Sequence, residues 1–267
     1  MTKKNRTILQ FSLLAVFAGY LIFALVYAQD KRKSTICNDL EINVISNSNN
    51  KFITKDDITA EFQANDLNYF GKNINELPVA AMEKLITKNN FVKSANVYAS
   101  MDGVLHVDIV QRKPILRVYT RNGNNFYIDD EGFIFYIDNN YSCYVPIVSG
   151  NLKPPFHIDF VGSLHKFWAD EKPPDSTFIR LYDFGQYINT HPFWSAQIEQ
   201  IYFTTRHNVE LIPRVGAHII KLGTLENYEY KLNKLMTLYR KGLPIKGWNN
   251  YTSIDLSFSN QIICQTK

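Results

Sequence analysis

The sequence predicts an α+β protein. It has one N-terminal transmembrane helix, a small module ordered strand-helix-helix-strand-strand, and a mainly β domain with flanking helices. Three observations predict this. Residues 8–28 form a 21-residue run in which only Gln10 and Ser12 are clearly polar. Two stretches of helical period then precede an alternating hairpin between Phe91 and Pro114. From Ile115 onward, short alternating runs separated by turn residues dominate. The expected boundaries are 1–7 for a cytoplasmic tail, 8–28 for the span, 29–37 for a polar linker, 38–112 for the first module and 113–267 for the second.

As a helix, the apolar run would reach about 31 Å, the thickness of a bilayer core. Signal-peptide cores run to about 7–15 residues. This run is longer, so the expectation is an uncleaved anchor. Lys3, Lys4 and Arg6 precede it; Lys31, Arg32 and Lys33 follow, with Asp30 beside them. Lys/Arg counting is nearly tied, but a seven-residue tail suits a cytoplasmic stub, with the bulk of the chain outside. The chain is 45% hydrophobic and carries a formal charge of +4 from 29 Lys/Arg and 25 Asp/Glu, and six of those basic groups flank the span. Residues 34–267 then hold 23 basic and 24 acidic groups. The basicity belongs to the membrane flanks, and no nucleic-acid-binding face is implied.

In the first module, Leu40–Ile45 alternates as a strand and Ser46–Lys51 is a polar loop. Thr54 is a good N-cap, with Asp56 and Asp57 in the first turn and Ile58, Glu61, Phe62 and Asn65 at helical spacing. A second helix is expected over residues 74–90, capped by Asn75 and carrying Pro78 in its first turn, with Leu77, Ala81 and Leu85 on one stripe. The hairpin follows. A two-residue turn at Asp102-Gly103 would set Val97 against Asp108. A three-residue loop over Met101–Gly103 instead pairs Ala99 with Leu105, Val97 with Val107 and Ala95 with Ile109. One face is then wholly apolar, and burying one face fixes register. Gly103 supplies the left-handed loop residue such a hairpin wants. Pro114 interrupts the ladder and marks the seam between modules.

In the second module, Ile115–Thr120, Phe126–Ile128 and Phe133–Ile137 are expected strands around turns at Asn122-Gly123 and Asp129–Gly132. Tyr144–Val148 contains Pro146 and is expected at an edge or a strand end. Residues 149–174 hold several prolines and no clear period, and read as mostly loop. Asp175 caps a helix carrying Phe178, Leu181, Tyr182 and Ile188. Ile198–Thr204, Val209–Ile212 and His218–Leu222 are strands. Thr224 caps a long helix with Leu225, Tyr228, Leu232, Leu235 and Tyr239 on one face, stopped by Gly242 and Pro244. Tyr251–Phe258 and Gln261–Gln265 are the last strands.

No catalytic signature is present: the sequence has no GxSxG elbow, no HExxH and no phosphate-cradling glycine loop. His157 and His165 share no ligand spacing with another His or Cys, and Asp129, Asp130 and Glu131 beside Gly132 read as turn residues. Cys37, Cys143 and Cys264 show no zinc spacing. An oxidising compartment would allow one pair among them; the expectation is three buried thiols. No enzyme activity, cofactor, metal or small-molecule substrate is expected.

Several stretches together resemble one family. Phe91–Val97 and Leu105–Pro114 match the hairpin of a POTRA domain, a polypeptide-binding fold, and its exit into the next domain. Tyr127–Gly132 resembles an "ID-x-x-G" turn, and Val145–Gly150 an "LP-x-x-x-G" segment. Lys221-Leu222-Gly223, with Lys231/Leu232 and Lys234/Leu235 on the following helix, is similar to the start of the family's C-terminal helix. Ile254-Asp255-Leu256 resembles its "VDLRY" strand, with Ser257 and Phe258 in place of Arg and Tyr, so that arginine's contact is not carried over. Short tail, span, linker and module in this order resemble FtsQ/DivIB, bitopic bacterial cell-division proteins, in a form like that of the Bacteroidota. The resemblance implies a non-enzymatic divisome scaffold in the cell inner membrane at the septum. It would be single-pass, with its bulk periplasmic. It would bind FtsB- and FtsL-like proteins and the septal peptidoglycan synthase complex, and help control septal peptidoglycan synthesis. An alternative is a membrane-anchored periplasmic POTRA-type module in envelope assembly or secretion. The β-barrel that outer-membrane assembly proteins carry would need many roughly ten-residue, lipid-facing strands, which the second module does not offer.

The stretch Gln261, Ile262, Ile263, Cys264 and Gln265 is uncharged and β-prone. A bare edge of that kind is a hazard proteins normally suppress, unless a partner strand completes the sheet. The family resemblance places FtsB at the segment following the "VDLRY" strand. These five residues, with Phe258, are the expected partner-binding site.

Overall fold

The computed structural model describes residues 13–27, 35–45, 53–121, 123, 125–136, 142–157, 159–173 and 175–267. The expected tail 1–7, residues 8–12 and 28 of the expected span, most of the linker, the Ser46–Lys51 loop, and Asn122 and Ile137 lie outside them. The chain divides into two compact units, Met1–Gln111 and Arg112–Lys267.

Residues 13–27 form helix α1 with exposed apolar side chains, among them Leu14, Phe17, Leu21 and Leu25. Fifteen described residues reach only about 22 Å. Among the described residues no helix is long and apolar enough to cross a membrane.

The first unit continues with β1 (Asp39–Ile45), α2 (Lys55–Ala64), α3 (Val79–Ile86), β2 (Val92–Ala99) and β3 (Val104–Gln111). Thr54 caps α2 through a reciprocal pair: Asp57 N–H donates to Thr54 Oγ1 at 3.3 Å, and Thr54 N–H to Asp57 Oδ2 at 2.9 Å. The expected single helix over 74–90 is broken. A 3-10 turn at Ile74–Glu76, capped by Asn73, precedes an extended Leu77, and α3 starts only after Pro78. Proline disfavours the helical conformation in the residue before it, so Leu77 cannot continue the turn. The three strands lie in the order β1-β3-β2, with β1 parallel and β2 antiparallel to the central β3. The observed register pairs Ala95 with Ile109, Val97 with Val107 and Ala99 with Leu105, as the three-residue loop requires. Gly103 has φ +87°, and a Cβ there would lie 2.5 Å from the Ile36 carbonyl oxygen. Val97, Leu105, Val107 and Ile109 are buried, as are Ile58, Phe62, Met82, Leu85 and Ile86 of the helices.

The second unit contains β4 (Pro114–Tyr119), β5 (Asn125–Asp129), β6 (Phe133–Phe135), β7 (Ile147–Gly150), β8 (Gly162–Ser163), α4 (Leu164–Glu171), α5 (Thr177–Thr190), α6 (Pro192–Gln197), β9 (Ile198–Phe203), β10 (Val209–Pro213), β11 (Ile219–Gly223), α7 (Tyr228–Lys241), α8 (Leu243–Lys246), β12 (Tyr251–Asp255) and β13 (Ile263–Thr266). The strands form one sheet in the order β13-β12-β11-β10-β9-β7-β4-β5-β6-β8. Leu116, Val118, Phe126, Val148, Ile201, Phe203, Leu211, Ile220 and Ile254 of the sheet share one buried core with Phe178, Leu181 and Phe184 of α5, Trp194 of α6 and Leu232, Leu235 and Tyr239 of α7. Gly185 lets α5 approach β4: a Cβ there would lie 2.5 Å from Leu116 Cδ1.

Pro146 immediately precedes β7, at a strand end, which is one of the two expected places; the strand itself lies inside the sheet, parallel to both β4 and β9. Three expectations need correction. The stretch 149–174 is not mostly loop; Ser163 Oγ accepts from Lys166 N–H and starts α4. The long helix starts at Tyr228 behind a left-handed Asn227, not at Thr224, and α8 follows Gly242 directly. The last strand is Ile263–Thr266, so Gln261 and Ile262 precede it.

Candidate functional site

The expected partner-binding residues gather at the β13 end of the large sheet. Among them only Ile263, Cys264 and Gln265 lie in the strand, which gains Thr266. β13 pairs antiparallel with β12, matching Asp255 to Ile263, Ile254 to Cys264 and Ser253 to Gln265, and it is the outer strand of the sheet. Phe258 sits in the connection between the two strands, 45% exposed, as is Ile263. Ile262 and Cys264 pack against the core, so the strand shows one side-chain face inward and Ile263 and Gln265 outward.

The direction of the main chain decides what this edge can do. Lys267 N–H donates to Asn250 O at 3.2 Å, and Gln265 O accepts from the Thr252 hydroxyl at 3.2 Å. Main-chain groups alternate along an antiparallel strand. The odd-numbered residues therefore turn theirs to β12, and Cys264 and Thr266 turn theirs to the open side. Ser253 Oγ adds a 3.3 Å hydrogen bond to Gln265 Oε1.

The connection feeding β13 is held from α7. Lys234 Nζ donates to the carbonyls of Phe258, Ser259 and Gln261 at 2.5, 3.2 and 3.4 Å, and Tyr230 Oη donates to Ser259 O at 2.8 Å. These two residues were not expected at the site. Their spacing of four on a helix, a cation above a ring, is the sequence signal, and the ammonium lies 5.2 Å from the Tyr230 ring centre. Nearer the C-terminal end of α7, Tyr239 Oη lies 2.7 Å from Nε2 of His218, the residue before β11; burial pushes the imidazole down. Burial pushes the Cys264 thiol up, keeping it neutral.

Cys37, Cys143 and Cys264 are free thiols; the first two are buried and Cys264 is half-buried. Among the described residues no group of three or more His, Cys, Asp or Glu side chains is placed to hold a metal ion. The site offers main-chain hydrogen bonds and exposed apolar surface, which is the equipment of a binding edge.

Comparison with known proteins reaches residues 35–110 and 113–265. A family model described as FtsQ/DivIB, C-terminal related, matches residues 113–265. A POTRA-like domain matches residues 35–110. No curated protein matches the chain. The protein belongs to the FtsQ/DivIB family of bacterial cell-division proteins, a non-enzymatic family.

Proposed function

We propose that this protein is a divisome scaffold that captures FtsB- and FtsL-like partners by strand addition to β13 and so helps control septal peptidoglycan synthesis. The observation that carries the reading is the outer strand itself, whose Cys264 and Thr266 main-chain groups face the open side of the sheet. A partner strand laid there extends the ladder, while Ile263, Gln265 and Phe258 offer side-chain contacts that select it. Residues 8–28 serve as a single-pass anchor in the cytoplasmic membrane, behind a cytoplasmic tail 1–7. The linker 29–37 leads to a POTRA-like domain over 38–112, and 113–267 forms the partner-binding domain. The apolar exposed face of α1 supports the anchor.

The test is proline scanning of β13 in the full chain. Cys264→Pro removes an outward N–H and leaves the β12 ladder its donors, so the monomer stays folded, with a small fall in melting temperature where the Cys264 side chain leaves the core. Capture of the FtsB-like partner falls by more than about tenfold, the loss of one or more main-chain hydrogen bonds plus a steric ring at the interface. Ile263→Pro instead removes an inward donor and lowers the melting temperature further. Native-like capture by a folded Cys264→Pro protein would show that the partner docks elsewhere.

A further inference from the structure

A cavity of about 170 Å³ opens in the middle of the large sheet, remote in sequence from β13, and is lined by Arg117, Cys143, Tyr144, Ile147, Glu199 and Arg214 among others. Its origin is topological. β7 starts at Ile147, which pairs with Arg117 on β4 and Gln200 on β9. Both neighbours begin earlier, β4 at Pro114 and β9 at Ile198. The short central strand thus leaves a notch, bordered by the segment Ser142–Pro146.

Two guanidinium groups border this notch. Arg117 is fixed: its Nε donates to Asn125 Oδ1 at 3.0 Å and its Nη1 to Ser142 Oγ at 3.1 Å, and its carbon lies 4.8 and 5.1 Å from the ring centres of Tyr119 and Tyr127. Arg214 lies over Tyr144, 4.7 Å from its ring centre. Among the described residues neither arginine has a carboxylate within ion-pair distance. The neighbouring acidic hydrogens do not help. Burial pushes the Cys143 thiol up to about 12 and raises the Tyr127 phenol, so both stay neutral beside Arg117. Among the described residues Glu199 is the one carboxylate lining the cavity, against two arginines. A fixed, half-buried guanidinium with donors to spare and, among the described residues, no carboxylate within ion-pair distance is matched by a planar carboxylate.

We propose that this notch is a binding site for a peptide carboxylate, held between Arg117 and Arg214. The hydroxyls of Ser142 and Ser195 line the same space. Glu199 at the rim disfavours a dianion such as phosphate, because a second negative charge would face it. The carboxylate comes either from an Asp or Glu side chain or from a chain's C-terminus. This site is independent of strand addition at β13, since it involves no sheet edge.

The experiment uses the full ¹⁵N-labelled chain in detergent micelles and follows the arginine Nε–H resonances. Four probes are titrated: acetyl-Gly-Glu-Gly-amide, acetyl-Gly-Gly with a free C-terminus, acetyl-Gly-Gln-Gly-amide and inorganic phosphate. A carboxylate peptide produces a saturable shift of the Arg117 resonance. The Gln peptide and phosphate bind at least about tenfold more weakly, the discrimination expected of a charge-assisted bidentate pair. The tighter of the two carboxylate peptides identifies the source. Arg214→Gln, at an exposed position, weakens that peptide about tenfold with the melting temperature unchanged. Absence of a saturable shift, equal binding of the Gln peptide or phosphate, or unaltered affinity in Arg214→Gln overturns the proposal.

Discussion

The two sheets treat their edges differently. In the small sheet a charged side chain reaches a main-chain group on each outer strand. Lys55 Nζ donates to Leu40 O of β1 at 2.5 Å, and Glu83 Oε1 accepts from Val97 N–H of β2 at 2.9 Å. In the large sheet one end closes on β8, two residues long, whose chain turns at once into α4 while Leu164 N–H donates to Gly132 O. The other end is β13, four residues without proline or charge. Among the described residues no main-chain bond reaches Cys264 or Thr266 from outside the sheet. Short edges and charged guards are how proteins prevent unwanted strand pairing. Three outer strands carry such a device and the fourth does not, which makes β13 the least guarded edge among the described residues.

The largest expected effect lies at the closed end of the large sheet. Asp129 is 1% exposed and accepts from Arg112 Nη1 at 2.9 Å, and from the amides of Glu131 at 2.9 Å and Phe133 at 2.7 Å. It therefore holds the β5–β6 turn that carries β8. Burial pushes its carboxyl up, against the hydrogen bonds from Phe133, Arg112 and Glu131 that favour the ion. Asp129→Ala leaves the Arg112 guanidinium, whose Nε already lacks a partner, without its counter-charge. The expected loss is about 3–5 kcal/mol in urea unfolding. A loss under about 1 kcal/mol would mean that the closed end is not held by this pair.

Next in size is the guard on β2. Glu83→Ala strips the acceptor from Val97 N–H at a residue only 4% exposed. The expected cost is about 1–2 kcal/mol, with faster hydrogen exchange at the Val97 amide. If that amide exchanges as before, the carboxylate is not what closes the edge, and the contrast between the two sheets weakens.

How much of this was legible in the sequence follows from which interactions are local. The hairpin register was legible because one slip exposes Val97, Val107 and Ile109 together, and Gly103 supplies the loop geometry. The cap at Thr54 was legible because Asp57 sits three residues on. The place of β7 was not. Its parallel partners β4 and β9 lie roughly 30 and 50 residues away, and Pro146 read alone leaves an edge and a strand end equally open. The helix α4 hid behind the prolines of its flanks, since eight residues give a weak period against that background. At the candidate site, the uncharged stretch was visible and its exact bounds were not. Gln261 looks like strand, but its carbonyl is taken by Lys234 from a different element.

That lysine supplies the smallest and sharpest test of the bare edge. An unguarded strand is useful only if it stays a strand, and β13 hangs on a connection with little packing of its own: Phe258 is 45% exposed. Lys234 compensates by gathering three carbonyls of that connection, with Tyr230 on one of them. Lys234→Met keeps the length and the apolar stem while removing every donor. The core contacts of α7 through Leu232 and Leu235 are untouched, so global stability falls by only about 1 kcal/mol. The local effect is larger in proportion. Amides of Ile263 and Gln265, which face β12, exchange faster, and partner capture weakens several-fold because the strand must be ordered on binding. Val97, guarded in the other sheet, keeps its exchange rate and serves as the internal control. If Ile263 and Gln265 exchange as in the unaltered protein, β13 is stable through its pairing with β12 alone, and α7 has no part in holding the edge ready.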